Sequence, residues 1–321
     1  MRTLITTKGA HHQPTLRTIK DHLARCETEG FWLDIEAPDD EDYAILEKGF
    51  GFHHLSVEDI RHRNQRPKLE EFKGYAFLVL FQAEVDRAHE VKFIEHHGFL
   101  AKDYLVTIHE DASPELNELR DRIDAEPDLT KGDPGFLTYL VVDVLVDSLF
   151  PVLERLDEHI DQLQDDILAH ATPELLGEIT RMKHDVIELR KYLGAQRDMF
   201  QRLITHSLNL HQQDLTLYWR DVLDHLVRQY ETVDSLRDLL TSAMDVYLST
   251  VSNRLNVTMK ALTVIASVFL PISFLTGFYG MNFAFLTGVL EPPYWSFFVG
   301  VGTMVAAVVI QLWFFRRRGW L

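Results

Sequence analysis

Two long apolar blocks near the C-terminal end constrain this chain more than any other feature. No charged residue lies between Ala261 and Leu290, and Glu291 is the only charged residue between there and Arg316. The two blocks, roughly 261–278 and 295–315, are each about long enough to cross a bilayer as a helix. Because everything before them is polar, acidic and patterned as helix or strand, the sequence predicts a large soluble region attached to a two-helix membrane hairpin.

A short motif stands at the end of the first block. Residues 279–282 read Tyr-Gly-Met-Asn, a turn-rich loop with Gly288, Pro292 and Pro293 follows, and the second block ends in three arginines at 316–318. This motif in this position resembles the signature of CorA-type magnesium transporters, and so do the chain length, the order of parts and the basic tail. Further likeness lies in the segments Val57–Ile60, Asn64–Lys68, Asp143–Asp147, Tyr218–Val222 and Asp245–Ser249.

The resemblance implies a homopentamer in the cytoplasmic (inner) membrane that carries Mg²⁺, with Co²⁺, Ni²⁺ or Zn²⁺ as alternative cargo. It implies that the first span lines a pore and that intracellular divalent cations close this pore from sites between subunits. Matched motif to motif, the implied residues fall into three sets. They are the entrance residues Tyr279, Gly280, Met281 and Asn282; the pore-lining residues Asn256, Met259, Leu262, Ala266, Leu270, Ser273 and Gly277; and the regulatory metal ligands Asp59 and Asp221, with Glu58 and Asp143 nearby.

The entrance assignment has a physical basis. Mg²⁺ is small and gives up its water shell reluctantly, so a ring of neutral oxygens suits it. Asn282 supplies a carbonyl oxygen, and Gly280 lets backbone carbonyls come close. The alternative is an ordinary turn between two spans. The loop after Asn282 departs from the family pattern, since its one acid, Glu291, lies at the far end, which leaves less negative charge at the mouth.

The pore-lining residues recur at steps of three or four, so they share one face of a helix. That face is polar at Asn256, apolar in the middle and small near Gly277, and an apolar constriction can gate by dewetting. The alternative is that the stripe packs against the second span. For the regulatory acids, carboxylates pushed together across an interface would repel until a divalent cation neutralised them. The alternative there is that each acid is solvated.

Composition narrows the choice of partner and compartment. The net charge of −17 argues against nucleic acid, because phosphate binding needs clustered Lys and Arg. Cys26 is the only cysteine, which fits a reducing compartment. The first thirty or so residues lack a basic-then-apolar run, so no cleavable signal peptide is expected. The arginines at 316–318, with Arg254 and Lys260, then predict that both termini are cytosolic and that the Asn282 loop faces out.

The upstream region predicts an α+β arrangement. Phe31–Ile35, Ala76–Phe81 and Tyr104–Ile108 are rich in β-branched and aromatic residues, as strands are, and Ala37–Asp42 has the signals of a helix start. The predicted segments are an α/β domain (1–133), an acidic helical hairpin (134–210), the stalk part of a long helix (211–256), the first transmembrane helix (257–280), the outer loop (281–294), the second transmembrane helix (295–315) and the basic tail (316–321).

The stalk carries an apolar seam that continues into the first span. Its members recur at alternating steps of four and three, as a packed helix requires: Val222, Leu226, Gln229, Val233, Leu236, Leu240, Ala243 and Tyr247. No helix breaker interrupts the stretch before the span. A continuous helix from about Gln212 to Tyr279 would measure roughly 100 Å. A helix this long cannot bury its seam alone, so the sequence predicts self-association.

The histidines and the known catalytic motifs bear on two other classes of function, zinc binding and catalysis. Three histidine pairs, at 11–12, 53–54 and 96–97, suggest zinc, but adjacent residues point in different directions and none has the spacing of a closed zinc site. The chain also lacks a nucleophile elbow, a Walker loop and a zinc-protease motif, so an enzyme is not expected.

The alternative functions are a zinc-transporting relative of the same family and a membrane-tethered coiled-coil scaffold without a pore.

Overall fold

The computed structural model describes the chain except residues 7–8, 27–29, 87–89, 131–132, 207–214, 282–293 and 321. The strands are β1 (Arg2–Thr6), β2 (Gly9–His12), β3 (Phe31–Glu36), β4 (Lys68–Phe72), β5 (Tyr75–Val85), β6 (Val91–Ala101) and β7 (Tyr104–His109). The α-helices are α1 (Leu16–Leu23), α2 (Asp40–Ala44), α3 (His54–His62), α4 (Pro114–Ala125), α5 (Pro134–Asp147), α6 (Leu149–Ala169), α7 (Pro173–His206), α8 (Thr216–Tyr279) and α9 (Tyr294–Arg317), with a π-helix at Ile45–Phe50 and a 3₁₀ turn at Pro127–Thr130. The chain divides into two units, Met1–Met244 and Asp245–Leu321.

The first unit is built on one mixed sheet of seven strands in the order β2-β1-β3-β7-β6-β5-β4. The central neighbours β3 and β7 run parallel, and the other pairs of the described strands are antiparallel. The three strands predicted from the sequence are confirmed as parts of β3, β5 and β7. The predicted helix start is confirmed at α2, where Asp39 is the N-cap and forms a capping box with Asp42.

Aromatic residues fill the core on one side of the sheet. Phe52, which follows the π-helix, stacks on Phe99 of β6 with ring centres 3.7 Å apart, and Phe77 of β5 lies 5.0 Å from Phe99. Asp34 of β3 is fully buried and pairs with Arg120 of α4 at 2.6 Å. Because a buried charge is costly without a partner, this ion pair fixes α4 to the sheet.

The predicted hairpin segment 134–210 contains three helices, α5, α6 and α7. The break between α5 and α6 falls at Ser148, and Pro151 explains it, since proline cannot donate a hydrogen bond back to the carbonyl of Asp147. The stretch Gly135–Ala169 is long and apolar enough to cross a membrane, which the sequence reading did not anticipate. However, 56% of its apolar window is buried inside the protein. Its apolar character therefore serves packing within the first unit.

The predicted long helix is confirmed as α8, which has 64 residues and measures roughly 96 Å at about 1.5 Å per residue. Every predicted seam residue is buried. Other helices of the same chain cover the seam. Gln229 donates from Nε2 to the Val146 carbonyl of α5 at 2.7 Å, and Tyr230 lies beneath the guanidinium groups of Arg190 and Arg197 of α7. The seam around Gln229 is therefore covered by α5 and α7 of the same chain, and the self-association inferred from it stays a prediction.

Candidate functional site

The apolar part of α8 presents two opposite faces. One face contacts α9 and the residues just after it: Lys260 donates to the Gly319 carbonyl at 2.7 Å, Val264 is buried, and Thr276 Oγ1 lies 3.9 Å from Met304 Sδ. All the predicted pore-lining residues lie on the other face, at about 100° per residue around the helix, and all are exposed within the chain. Met259, Leu262 and Leu270 expose 59%, 58% and 72% of their surfaces. The predicted stripe is thus not the face that packs against the second apolar helix.

The end of α8 is closely packed around its glycine. The Gly280 N–H donates to the Thr276 carbonyl at 2.9 Å, and a Cβ at residue 280 would lie 3.0 Å from the same oxygen, so this position has little room for a side chain. Tyr279 packs against Gly300 of α9, whereas Met281 is exposed. Asn282 lies outside the described residues, and its role at the entrance stays a prediction.

A ladder of ligand-type side chains joins α5 to α8. Tyr139, Asp143 and Asp147 are spaced at four residues on α5, and Asp221 and His225 are spaced at four on α8. The Tyr139 hydroxyl donates to Asp221 Oδ2 at 3.3 Å, and His225 Nδ1 lies 2.6 Å from Asp147 Oδ1. Asp143 stands between these two links. Its Oδ1 is buried and has no hydrogen-bond partner among the described residues.

The environment of Asp143 opposes its negative charge. Burial, together with the neighbouring charge of Asp147, raises the pKa of Asp143 to about 6. Burial and the charges of Asp143 and Asp221 likewise raise the pKa of the Tyr139 phenol. A cation would relieve this repulsion. One ligand atom from each of Asp143, Asp147 and His225 lies within 4.8 Å of the other two, close enough for one cation to contact all three.

The other two predicted regulatory acids lie on α3. Asp59 is partly buried and its Oδ2 lies 2.6 Å from Lys68 Nζ of β4, whereas Glu58 is exposed and its Oε1 lies 3.7 Å from His62 Nδ1. The structure therefore brings Asp143 and Asp221 together around Tyr139. In the part of the chain that the structure describes, no hydrogen bond or ion pair links either α3 acid to that ladder.

Comparison with known proteins decides the family. The model of the family described as "CorA-like Mg2+ transporter protein" matches residues 27–317. The chain belongs to this CorA-like family.

Named relatives agree over most of their length. The "Cobalt/magnesium transport protein CorA" of Thermotoga maritima is 34% identical over 85% of this chain and 78% of its own. The protein of the same name from Methanocaldococcus jannaschii is 26% identical over 90% of this chain and 91% of its own. A solved structure, "The complete structure of CorA magnesium transporter from Methanocaldococcus jannaschii", has a TM-score of 0.82 at 22% identity and covers 100% of this chain and 99% of that one. The whole CorA-like fold is therefore present.

Sequence reasoning missed three residues of this CorA-like chain that lie beside the predicted ligands. Asp147 and His225 complete the cluster around Asp143, and Lys68 forms an ion pair with Asp59. A signal existed for the first two, because both are spaced at four residues from predicted ligands, Asp143 and Asp221, and residues at that spacing share a helix face. The pairing of Lys68 with Asp59 depends on a turn between a helix and a strand, which periodicity does not show.

Proposed function

We propose that this CorA-like chain forms a homopentameric channel that conducts Mg²⁺, and also Co²⁺, across the cytoplasmic membrane. The observation that carries the proposal is the exposed stripe from Asn256 to Gly277, which α9 leaves uncovered. A stripe with a polar residue at one end, apolar residues in the middle and small side chains at the other end fits the lining of a pore around a symmetry axis. The names of the relatives support the choice of ions.

Conduction in this proposal uses the stripe and the exit of α8 in sequence. Neutral oxygens at the entrance, from Asn282 and from the backbone around Gly280, hydrogen-bond to the water shell of the ion. The ion keeps this shell because removing water from Mg²⁺ costs much free energy. Met259, Leu262 and Leu270 form the apolar constriction, which is closed when it is dry.

The orientation follows from the basic residues at one end of the hairpin. Arg254 and Lys260 come just before the apolar part of α8, and Arg316 and Arg317 end α9, so all four lie at the end of the apolar hairpin away from the Tyr-Gly-Met-Asn motif. By the positive-inside rule this end is cytosolic. Both termini and the first unit are then inside, and the entrance faces out.

Regulation in this proposal uses the acids of the first unit. Asp221 is exposed and Asp59 is partly exposed, so a neighbouring subunit can reach both. Intracellular Mg²⁺ between Asp59 of one subunit and Asp221 of the next would hold the closed assembly together, with Glu58 and Asp143 close to the ion. The ion shifts this equilibrium only by its difference in affinity for the two states.

A second candidate cargo is a transition metal such as Zn²⁺ or Ni²⁺. The observation that favours it is His225, whose imidazole stands beside Asp143 and Asp147. Imidazole nitrogen suits Zn²⁺ and Ni²⁺ and is a poor ligand for Mg²⁺. The cluster would then act as a sensor for these metals within each subunit.

Ion uptake into liposomes carrying the purified protein tests the proposal, with Mg²⁺, Co²⁺, Ni²⁺ and Zn²⁺ compared. Asn282→Ala should assemble normally yet lose Mg²⁺ uptake by about tenfold or more, because one hydrogen bond to a charged or polarised group contributes about 1.5–3 kcal/mol. Asn253→Ala is the matched control, since Asn253 is exposed on α8 but lies off the stripe. Wild-type uptake by the Asn282 variant would refute the entrance, and no uptake of any of the four ions by the wild type would refute the channel.

A further inference from the structure

The side chain that pairs with Asp59 is a fixed part of the fold. Lys68 Nζ lies 2.6 Å from Asp59 Oδ2 and 2.9 Å from Glu70 Oε1. The Lys68 and Asp59 side chains expose only 24% and 27% of their surfaces, whereas Glu70 exposes 44%. Burial acts to lower the pKa of Lys68, but the hydrogen bonds to Asp59 and Glu70 outweigh it and the pKa is raised. The ammonium group therefore stays charged and in contact with both carboxylates.

The turn that carries the chain from Asp59 to Lys68 holds this pair in place. Arg63 and Asn64 have φ values of 52° and 58°, in the left-handed region that side chains other than glycine seldom adopt. Glu95 of β6 stabilises the turn, because its carboxylate accepts the N–H groups of Asn64 at 2.8 Å and Gln65 at 3.2 Å. A strained backbone conformation persists only when surrounding contacts hold it in place. The turn therefore positions Lys68 next to Asp59.

We infer that Lys68 competes with the divalent cation for Asp59 and so sets the cation concentration at which the regulatory site fills. This inference rests on the proposed regulatory role of Asp59. The ammonium group 2.6 Å from Asp59 Oδ2 neutralises that carboxylate and repels a divalent cation that approaches it. A cation at Asp59 is therefore bound more tightly when Lys68 moves away.

Glu70 gives the displaced ammonium group a second position. Lysine has a long flexible stem with a compact charged end, so a small rotation moves the charge between neighbouring carboxylates. When the cation occupies Asp59, Lys68 keeps its contact with Glu70, already at 2.9 Å. When the cation leaves, Lys68 returns and neutralises Asp59. The empty site then carries less uncompensated charge than its acids alone would give it.

The test measures the Mg²⁺ concentration that half-protects the full-length protein from chymotrypsin, which does not cut at lysine. Lys68→Gln should lower this concentration by about three- to fivefold, the effect of removing an ion pair at the upper end of those measured in partly exposed positions. Lys68→Arg keeps the charge and should stay near the wild-type value. Lys92→Gln is the matched control, because it removes the same charge from a lysine that pairs with Asp111 at 2.9 Å.

Two results separate the failure of this inference from that of the proposed function. If Mg²⁺ does not protect the wild type at all, the proposed regulation fails and the inference fails with it. If Mg²⁺ protects the wild type but Lys68→Gln leaves the half-protecting concentration unchanged or raises it, competition is refuted and the regulation stands.

A second variant tests the same competition if Lys68→Gln does not fold. Glu70→Gln removes the negative charge of the alternative acceptor and so favours Lys68 on Asp59, which should raise the half-protecting concentration. An unchanged or lower value in that variant would overturn the inference.

Discussion

Replacing Asp143 with asparagine should stabilise the metal-free protein while it abolishes stabilisation by metal. Asp143 has a pKa raised from 3.8 to about 6, so the folded chain prefers its neutral form. For an acid of this kind the penalty is absent below the unfolded pKa and complete above the folded one. The free energy of unfolding of the metal-free wild type should therefore fall, relative to the Asp143→Asn variant, as the pH rises from about 4 to about 6.

The size of this effect follows from the pKa difference. Moving from 3.8 to about 6 corresponds to about 3 kcal/mol at about 1.4 kcal/mol per pKa unit. Asp143 is only half-buried, and solvent screening reduces the figure to about 1–2 kcal/mol. For a unit of the size of Met1–Met244, that is a rise of about 3–6 °C in the melting temperature.

Thermal unfolding of the full-length protein in detergent, with a chelator present and the pH held near neutral, measures this rise. The matched variant is Asp147→Asn, one turn along the same helix. It removes only one of the causes that raise the pKa of Asp143 and weakens the 2.6 Å bond to His225, so it should raise the melting temperature less than Asp143→Asn does, or lower it. Millimolar Co²⁺ should then stabilise the wild type and neither variant. A lower or unchanged melting temperature for Asp143→Asn without metal would refute the assignment of Asp143 as a destabilising, metal-seeking group.

Two further predictions concern the pore and the interface. Leu270→Asn should raise basal conductance by hydrating the apolar constriction, at little cost within the chain because Leu270 is 72% exposed there; unchanged conductance in an assembled variant would place Leu270 outside the pore. The double variant Asp59→Asn with Asp221→Asn should show the same chymotrypsin cleavage with and without millimolar Mg²⁺, because it lacks the charges that the ion neutralises. Full Mg²⁺-dependent protection of that variant would exclude these two acids as the sensor.

Local patterns predicted much of the fold. The strand segments, the start of α2 and the uninterrupted course of α8 follow from residue types and spacing over a few turns, and each is confirmed. The register of the seam was also readable, since every member from Val222 to Tyr247 is buried.

The partner of that seam was not readable. Periodicity shows that a face is buried but not which helix buries it, and around Gln229 α5 and α7 of the same chain do so. The same limit explains the missed ligands. Asp147 and His225 approach one another only because α5 packs beside α8, and Lys68 reaches Asp59 only through the turn at Arg63 and Asn64.

The hydrogen bond from Gln229 to the Val146 carbonyl restricts how α8 can move. Gln229 is fully buried in an otherwise apolar seam, and its amide nitrogen donates to the Val146 carbonyl at the end of α5, which also accepts the N–H of Ser148. Sliding α8 along α5 by a single residue, about 1.5 Å, would leave the buried amide nitrogen of Gln229 without its acceptor. The hydrogen bond therefore fixes the register of α8 against α5. Under the gating that we propose, movement of α8 relative to α5 would then be rotation or bending and not sliding along the helix axis.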